Sequence, residues 1–399
     1  MKPGAQCLAL CIALCLSPSY FWAADQADEI KQAFRKNAEA LRAHSDDFGL
    51  DRDPDSPTLL DREWSLMADW VAAYLNGHPA ATAKEVEAAI HELDADLNHS
   101  VIELSPHTYV VAANRVEIGT FFIVSRDSEV YHSAWNVKDF AAAHDGRDDD
   151  ISHWSDHSKS PLFGKVGALF DNANGHSRFY VDATYQGEEF TVDKQLSIWE
   201  WNGAAATPVL MGDYTYSLDS AEGVTFDGKL LRIHTKEGDF KTFFSCPGCQ
   251  EPPGEWTIRI TPSSVEDLGR RRLTPELDLI DSLYYRIQRR MPVSDLAAPD
   301  VIKELTHVID DIRDDASVTN DYSPLGMLMD WKVEHQDQHM RICVSVDDPG
   351  RYLFTLVRRS GKWFFTVAQD AGDESKFGKS CSEVMRLSRY DRPGQRRAP

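Results

Sequence analysis

The amino-acid sequence predicts an α+β protein in which an antiparallel β meander lies between two helical segments. Residues 100–265 contain a succession of short runs rich in aromatic and β-branched residues, separated by turn signals such as Asn202-Gly203. Apolar residues at helical spacing precede these runs, and residues 273–370 contain two more helical stripes followed by strands. Because no helix-length crossover separates most predicted strands, we expect antiparallel pairing, in a barrel or a propeller-like arrangement.

Residues 1–24 are typical of a signal peptide. Lys2 provides a positive charge, and CLALCIALCL is an apolar run of the length expected for the hydrophobic region of such a peptide. This run is shorter than the ~20 residues that a helix needs to span a bilayer, and no later segment qualifies. Cleavage could follow Ser19, Ala23 or Ala24. We therefore expect a soluble mature protein, exported to the periplasm or beyond, with no transmembrane segment.

The charge balance narrows the range of partners. The chain has 42 Lys and Arg against 64 Asp and Glu, a formal net charge of −22. Such a field repels phosphate backbones, so nucleic acid is not expected as a partner, whereas cations and basic partners are compatible with it. The hydrophobic fraction of 42% is ordinary for a globular protein, so the chain can bury a sizeable core.

Residues 25–99 are predicted to form three helices that pack against the sheet. The second is expected to begin at Ser56 as N-cap and to end near Gly77. The third begins after Thr82, which has Glu85 three residues later, the spacing of a capping box. Each helix carries an apolar stripe of helical period, which predicts one buried face.

Residues 273–370 are predicted to form a second domain, after a boundary near residues 263–272. Thr274 is the expected N-cap of its first helix, and the second helix covers Pro299 to Asp314. Four strands then follow: MDWKVEH, MRICVSV, YLFTLVRR and KWFFTVAQ. The tail, residues 388–399, is rich in Arg and Pro and is predicted to be disordered.

This order of elements, ending in a Gly-Lys-Trp strand, resembles the NTF2-like α+β cone. It is similar in particular to small exported bacterial NTF2-like domains of unknown function. The resemblance covers about a quarter of the chain and implies a curved sheet with helices closing one end, sometimes with a pocket. It implies no particular reaction, because that fold is found in enzymes and binding modules alike.

Four cysteines remain once the signal peptide is removed, and an even number in an oxidising compartment predicts two disulfides. They are Cys246, Cys249, Cys343 and Cys381. Three pairings are formally possible, and we favour Cys246–Cys249 with Cys343–Cys381 because each pair then lies within one predicted domain. The Pro-Gly between Cys246 and Cys249 suits a type II turn, which indicates a structural staple rather than a redox centre.

The longest interruption between predicted strands is rich in His and Asp, and it predicts either a solvated acidic loop or a divalent-metal site. Its candidate ligands within residues 144–157 are His144, Asp149, His153 and His157. Imidazole and carboxylate together suit zinc, manganese or iron. The zincin pattern requires Glu directly after the first His, but Trp154 occupies that place. No other cofactor is predicted.

Trp199 and Trp201 lie two residues apart on a predicted strand and therefore point to the same side. Two adjacent indoles could form a platform that stacks on a sugar. Alternatively, the strand is buried on both faces, because Leu196 and Ile198 give the opposite side an apolar character as well.

No catalytic machinery is recognisable, since the chain has neither a glycine-rich phosphate loop nor a G-x-S-x-G elbow. We therefore expect an exported, non-catalytic binding or envelope-associated module. One alternative is a metal-dependent hydrolase that uses the His/Asp loop, and another is a carbohydrate-binding protein that uses the two indoles. The candidate partners are a small molecule, a carbohydrate or an envelope protein.

Overall fold

The computed structural model describes residues 18–44, 56–115, 118–143, 162–171, 176–184, 191–217, 223–235, 254–314, 328–346 and 351–370. The chain divides into two compact units. Unit 1 comprises Met1–Gly187, Val192–Asp213 and Ile260–Val265. Unit 2 comprises Glu188–Thr191, Tyr214–Arg259 and Glu266–Pro399.

The described residues contain six α-helices, separated into an N-terminal and a C-terminal set. They are α1 (Pro18–His44), α2 (Ser56–Gly77), α3 (Ala83–Leu93), α4 (Val137–Ala143), α5 (Pro275–Gln288) and α6 (Pro299–Asp314). The predicted limits of α2 and α6 are confirmed. Helix α1 begins earlier than the predicted start at Asp25, because no helix breaker follows Pro18 and proline is well tolerated in a first turn.

Sixteen strands are described, and they form four four-stranded sheets, each ordered as a meander. Sheet 1 contains β1 (Asn98–Ser105), β2 (Thr108–Arg115), β3 (Ile118–Asp127) and β4 (Val130–Asn136). Sheet 2 contains β5 (Leu162–Asp171), β6 (Ser177–Thr184), β7 (Thr191–Trp201) and β8 (Ala206–Ser217). Sheet 3 contains β9 (Val224–Phe226), β10 (Leu230–Thr235), β11 (Gly254–Ile260) and β12 (Val265–Arg272). Sheet 4 contains β13 (Leu328–Gln336), β14 (His339–Val346), β15 (Arg351–Arg359) and β16 (Lys362–Asp370).

The antiparallel meander is confirmed, as the registers of β1 with β2 and of β2 with β3 show. The barrel alternative is wrong for the described strands, because they separate into four sheets instead of closing into one. The α+β class is likewise confirmed, because helices precede sheet 1 and follow sheet 3 in the chain.

Sheet 1 is the middle layer of unit 1. On β3, Phe122 and Val124 join a core cluster with α1, α2 and α3, whereas Phe121 and Ile123 join a cluster with sheet 2. This alternation follows from the two-residue period of a strand, and it leaves β2 buried along its whole length. Sheet 1 therefore has no solvent-facing side in its centre.

A buried ion-pair network joins the helices of unit 1 to sheet 1. Arg115, at the end of β2, lies 2.5 Å from Glu63 of α2 and 2.5 Å from Asp94, which follows α3. Arg42 of α1 donates to both carboxylate oxygens of Asp94 at 2.9 Å. Helix α3 also has the predicted capping box, in which Thr82 and Glu85 satisfy each other's backbone amides.

In unit 2, α5 and α6 pack against sheet 4 around a common apolar core. Between the helices, Ala298 donates to the carbonyl of Phe365, and Phe365 donates to that of Leu296, so this connection is bonded to β16. Thr274 occupies the predicted N-cap of α5, but its side chain makes no cap hydrogen bond. The order of elements is the predicted one, and the likeness to NTF2-like domains stays a prediction.

Four elements of the structure were not predicted from the sequence: α4, β5, β9 and β12. Helix α4 and strand β9 are too short for a periodic pattern, at seven and three residues. Strand β12, VEDLGRRR, lies where a boundary was predicted, and its residues are mostly polar because most of them are exposed or half-buried. Within the described residues, no helix combines the length and apolar character needed to cross a membrane.

Candidate functional site

Unit 1 contains a cleft of about 400 Å³ on the helix-facing side of sheet 1. Its walls come from α2, β3, β4 and α4. The lining residues are Asp61, Trp64, Ser65, Ala68, Asp69, Thr120, Phe122, Ser133, Asn136, Lys138, Asp139 and Ala142. Two thirds of these residues are polar or charged, which distinguishes the cleft from the apolar cores on either side of sheet 1.

Helix α2 supplies one wall of the cleft through a single helical stripe. Asp61, Trp64, Ser65, Ala68 and Asp69 follow the spacing i, i+3, i+4, i+7 and i+8, so they share one face. Trp64 and Ala68 are buried within the stripe, whereas the two aspartates and the serine are exposed. The wall therefore has an apolar centre between carboxylates.

Strands β3 and β4 form the floor. Thr120 and Phe122 lie on the helix-facing side of β3 and are each 1% exposed. Ser133, from β4, is exposed. A ligand in the cleft would thus meet an aromatic ring and hydroxyl groups on the sheet side.

Helix α4 supplies the opposite wall, and its first turn is fixed by a reciprocal cap. The amide of Asp139 donates to Asn136 Oδ1 at 2.7 Å, and Asn136 Nδ2 donates to Asp139 Oδ2 at 2.5 Å. This arrangement holds Asn136 and Asp139 in fixed positions at the cleft, with Lys138 between them in sequence.

Lys138 is the most unusual group of the cleft. Its side chain is only 14% exposed, and its Nζ lies 3.4 Å from Asp61 Oδ1. Burial lowers the pKa of Lys138 below its ordinary value, and the Asp61 carboxylate counteracts only part of that effect. The amine is therefore easier to deprotonate than a lysine in water.

The carboxylates outnumber the cation, because Asp61, Asp69 and Asp139 face one ammonium group. Partial burial of the carboxyl group raises the pKa of Asp69, although the residue as a whole is exposed at the rim. Among the described residues, no hydrogen bond or ion pair to Asp69 is found, so the rim keeps a carboxylate with hydrogen-bonding capacity to spare.

Trp64 adds an unused donor. Its indole Nε1 is buried and has no hydrogen-bond partner among the described residues, while the residue itself is 5% exposed and lines the cleft. A buried N–H without a partner is costly, so the burial of this donor lowers the stability of the folded protein.

The residues predicted to bind metal lie outside the described part of the chain. This applies to His144, Asp149, His153 and His157, so the metal hypothesis stays a prediction. Within the described ranges, no group of three or more His, Cys, Asp and Glu side chains is arranged to hold a metal ion.

The exposed sugar platform proposed for Trp199 and Trp201 is corrected by the structure. The two indoles are 0% and 2% exposed, because the face of β7 that carries them packs against sheet 1. Phe121 lies edge-on to Trp199, with ring centroids 5.2 Å apart. Leu196 and Ile198 are buried as well, so β7 is covered on both faces and its indoles are core residues.

Of the four predicted disulfide cysteines, only Cys343 lies among the described residues. It is 5% exposed on β14 and takes part in a disulfide. Cys246, Cys249 and Cys381 lie outside the described residues, so the pairing itself stays a prediction.

The sequence alone does not reveal this cleft. The sequence predicts an apolar stripe on α2, and such a stripe leaves out Asp61, Ser65 and Asp69. One sequence pattern does indicate the α2 wall, because two aspartates flank a tryptophan at helical spacing. No such pattern indicates Lys138, because α4 is only seven residues long and the burial of Lys138 depends on packing against α2.

Comparison with known proteins gives no family for this chain. No protein-family model matches it, and no curated protein does. Among solved structures, a GH43_1 enzyme from Xanthomonas citri is 8% identical, with a TM-score of 0.21 over 68% of this chain and 73% of that one. A periplasmic gluconolactonase from Pseudomonas aeruginosa is 7% identical, with a TM-score of 0.19 over 68% and 72% of the two chains. With both TM-scores below 0.5, neither fold nor function is carried over from these proteins.

Proposed function

We propose that the protein is an exported binding protein whose cleft between α2, sheet 1 and α4 takes a small polyhydroxylated ligand of the carbohydrate class. The observation that carries this proposal is the composition of the cleft wall. Eight of its twelve lining residues are polar or charged, and they surround Trp64 and Phe122.

The size and polarity of the cleft support this class of ligand. About 400 Å³ is within the range of small-molecule sites, and room for one or two sugar rings is of that order. Hydroxyl groups both donate and accept, so they match a wall that offers carboxylates, hydroxyls, an amide and an ammonium group together.

The charge of the cleft sets an order of preference among such ligands. Three aspartates against Lys138 leave an excess of negative charge at the rim, and the whole chain is strongly acidic. We therefore expect an amino sugar to bind more tightly than a neutral sugar, and a sugar acid to bind most weakly.

The test is isothermal titration calorimetry of the mature protein with D-glucosamine, D-glucose and D-gluconate. We expect affinity to fall in that order. Lys138→Met should weaken glucose binding by roughly 10- to 100-fold, the effect of losing one hydrogen bond from a charged group. Lys165→Met is the matched control, because Lys165 is exposed on β5 and does not line the cleft.

Two results would contradict the proposal. One is the absence of binding heat with all three sugars. The other is equal affinity in the wild type, Lys138→Met and Lys165→Met, which would place any sugar site elsewhere on the molecule.

A further inference from the structure

We propose that Lys138 forms a reversible imine with the carbonyl group of a small aldose or related hydroxyaldehyde bound in the cleft. This inference deepens the proposed function and rests on it, because it needs the cleft to admit a polyhydroxylated ligand. It adds a covalent step and one specific atom, Nζ of Lys138.

The position of Lys138 is the first support. Its side chain is 14% exposed, yet it lines a cleft of about 400 Å³, so the amine is shielded from bulk water while facing a space that a small ligand can enter. A lysine held in this way is activated as a nucleophile, because burial favours the neutral amine.

The neighbouring carboxylate is the second support. Asp61 Oδ1 lies 3.4 Å from Nζ, close enough to accept the proton that the nitrogen must lose. Asp61 is 59% exposed, so it can also exchange protons with solvent. Among the described residues, the other charged groups that line the cleft are Asp69 from α2 and Asp139 from α4.

The step balances without any oxidant or reductant. The lone pair of the neutral amine attacks the carbonyl carbon, a C–N bond forms, and the C=O π electrons move to oxygen. Asp61 carries two protons in turn from nitrogen to that oxygen: the first gives the carbinolamine, and the second allows the oxygen to leave as water when the C=N bond forms. Hydrolysis reverses the sequence and releases the unchanged ligand.

The surroundings favour the imine over its hydrolysis. Trp64, Phe122 and Ala142 line the same cleft and are apolar, so a bound ligand would displace water from around the C=N bond. The hydroxyl groups of an aldose would then be met by Thr120, Ser133 and the aspartates, which positions the carbonyl carbon for attack.

The experiment traps the imine in the intact protein. The mature wild-type protein is incubated with DL-glyceraldehyde and sodium cyanoborohydride at pH 7.5, and modified lysines are located by peptide mass spectrometry. Lys84 and Lys229 are exposed and serve as internal references. We expect Lys138 to be modified several-fold faster than either one, because burial leaves more of its amine neutral and the cleft holds the aldehyde beside it.

Further samples separate this inference from the binding proposal. A large excess of glycerol, which has hydroxyl groups but no carbonyl, should protect Lys138 selectively, and Asp61→Asn should slow its modification without affecting Lys84. Modification of Lys138 no faster than that of the exposed lysines overturns the imine. If calorimetry still shows Lys138-dependent sugar binding in that case, the binding proposal stands alone; if it shows none, both proposals fail.

Discussion

Arg115 lies between two buried carboxylates, and its guanidinium group offsets part of the free-energy cost of burying them. Glu63 is 0% exposed, and its Oε2 has no hydrogen-bond partner among the described residues. Burial raises the pKa of Glu63 in spite of Arg115. Burial acts in the same direction on Asp94, but hydrogen bonds and charge from Arg115 and Arg42 outweigh it, and the pKa of Asp94 lies below its ordinary value.

The substitution Arg115→Met should therefore destabilise the protein by about 3–5 kcal/mol at pH 7, because it leaves Glu63 and Asp94 buried without their shared cation. The measurement is urea unfolding. Arg35→Met is the control, since Arg35 is exposed and a change below about 0.5 kcal/mol is expected there.

The pH dependence of Arg115→Met gives a second readout. A buried acid with a raised pKa favours folding when it is protonated, so its unfavourable effect appears as pH rises through the folded-state pKa. The deficit of Arg115→Met should thus be smaller at pH 4.5 than at pH 7. A deficit that does not change between these pH values would show that the lost stability comes from packing instead of charge.

At the scale of elements, sheet 2 depends on a glycine beside a tyrosine. Gly167 of β5 is the cross-strand partner of Tyr180 of β6. A β-carbon added at Gly167 would lie 2.1 Å from Cε1 and 2.4 Å from Cζ of the Tyr180 ring. Tyr180 is 6% exposed, so its ring is packed among neighbours and has little freedom to move aside.

Gly167→Ala should destabilise the protein by about 1–3 kcal/mol through overpacking of the Tyr180 ring. Gly164→Ala is a matched control in the same strand, because its added β-carbon would meet only the Asp182 carbonyl, at an ordinary 3.4 Å. Chemical denaturation of both variants is the measurement. Equal stability of the two would show that the ring can shift without cost.

The way in which α2 packs on sheet 1 explains why the cleft exists. The stripe of α2 that lines it is offset by about one residue from the buried stripe containing Leu60, Met67 and Val71. Trp64 belongs to both stripes. The helix therefore packs on sheet 1 along one edge and turns its aspartates toward α4, whose start is fixed by Asn136.

At the scale of the whole molecule, the sequence predicts two covalent features of the mature form: removal of residues 1–24 and closure of two disulfides. Cys343 is 5% exposed on β14 and takes part in a disulfide. A bond to Cys381 would close a loop of about 40 residues, long enough to stabilise the protein by about 3–4 kcal/mol.

Replacing Cys343 and Cys381 together by serine should lower the free energy of unfolding by about that amount. The corresponding Cys246 and Cys249 pair is the control, because it would close a much shorter loop and should cost less. Non-reducing peptide mapping of the purified protein identifies the pairs. A cross-link between Cys343 and any residue other than Cys381 would refute the pairing.

Most elements followed from local patterns. The limits of α2, the capping box of α3 and the limits of α6 follow from Ser56, Thr82 and Pro299, because these residues act on the backbone within one helical turn. The strands of sheets 1 and 4, and those of sheet 2 apart from β5, were predicted for a similar reason, since side-chain alternation and turn residues are local properties.

The partners of each face were decided by tertiary structure alone. The sequence could not distinguish a sugar platform from a buried core for Trp199 and Trp201, because either arrangement has the same two-residue spacing. The structure shows that they are core residues, because sheet 2 packs on sheet 1. Likewise, Lys138 and Asp61 are 77 residues apart in the chain and come within 3.4 Å only when α2 and α4 meet beside sheet 1. Local sequence thus determined the elements and their charge, whereas burial, and with it the chemistry of the cleft, arose from the packing of distant segments against one another.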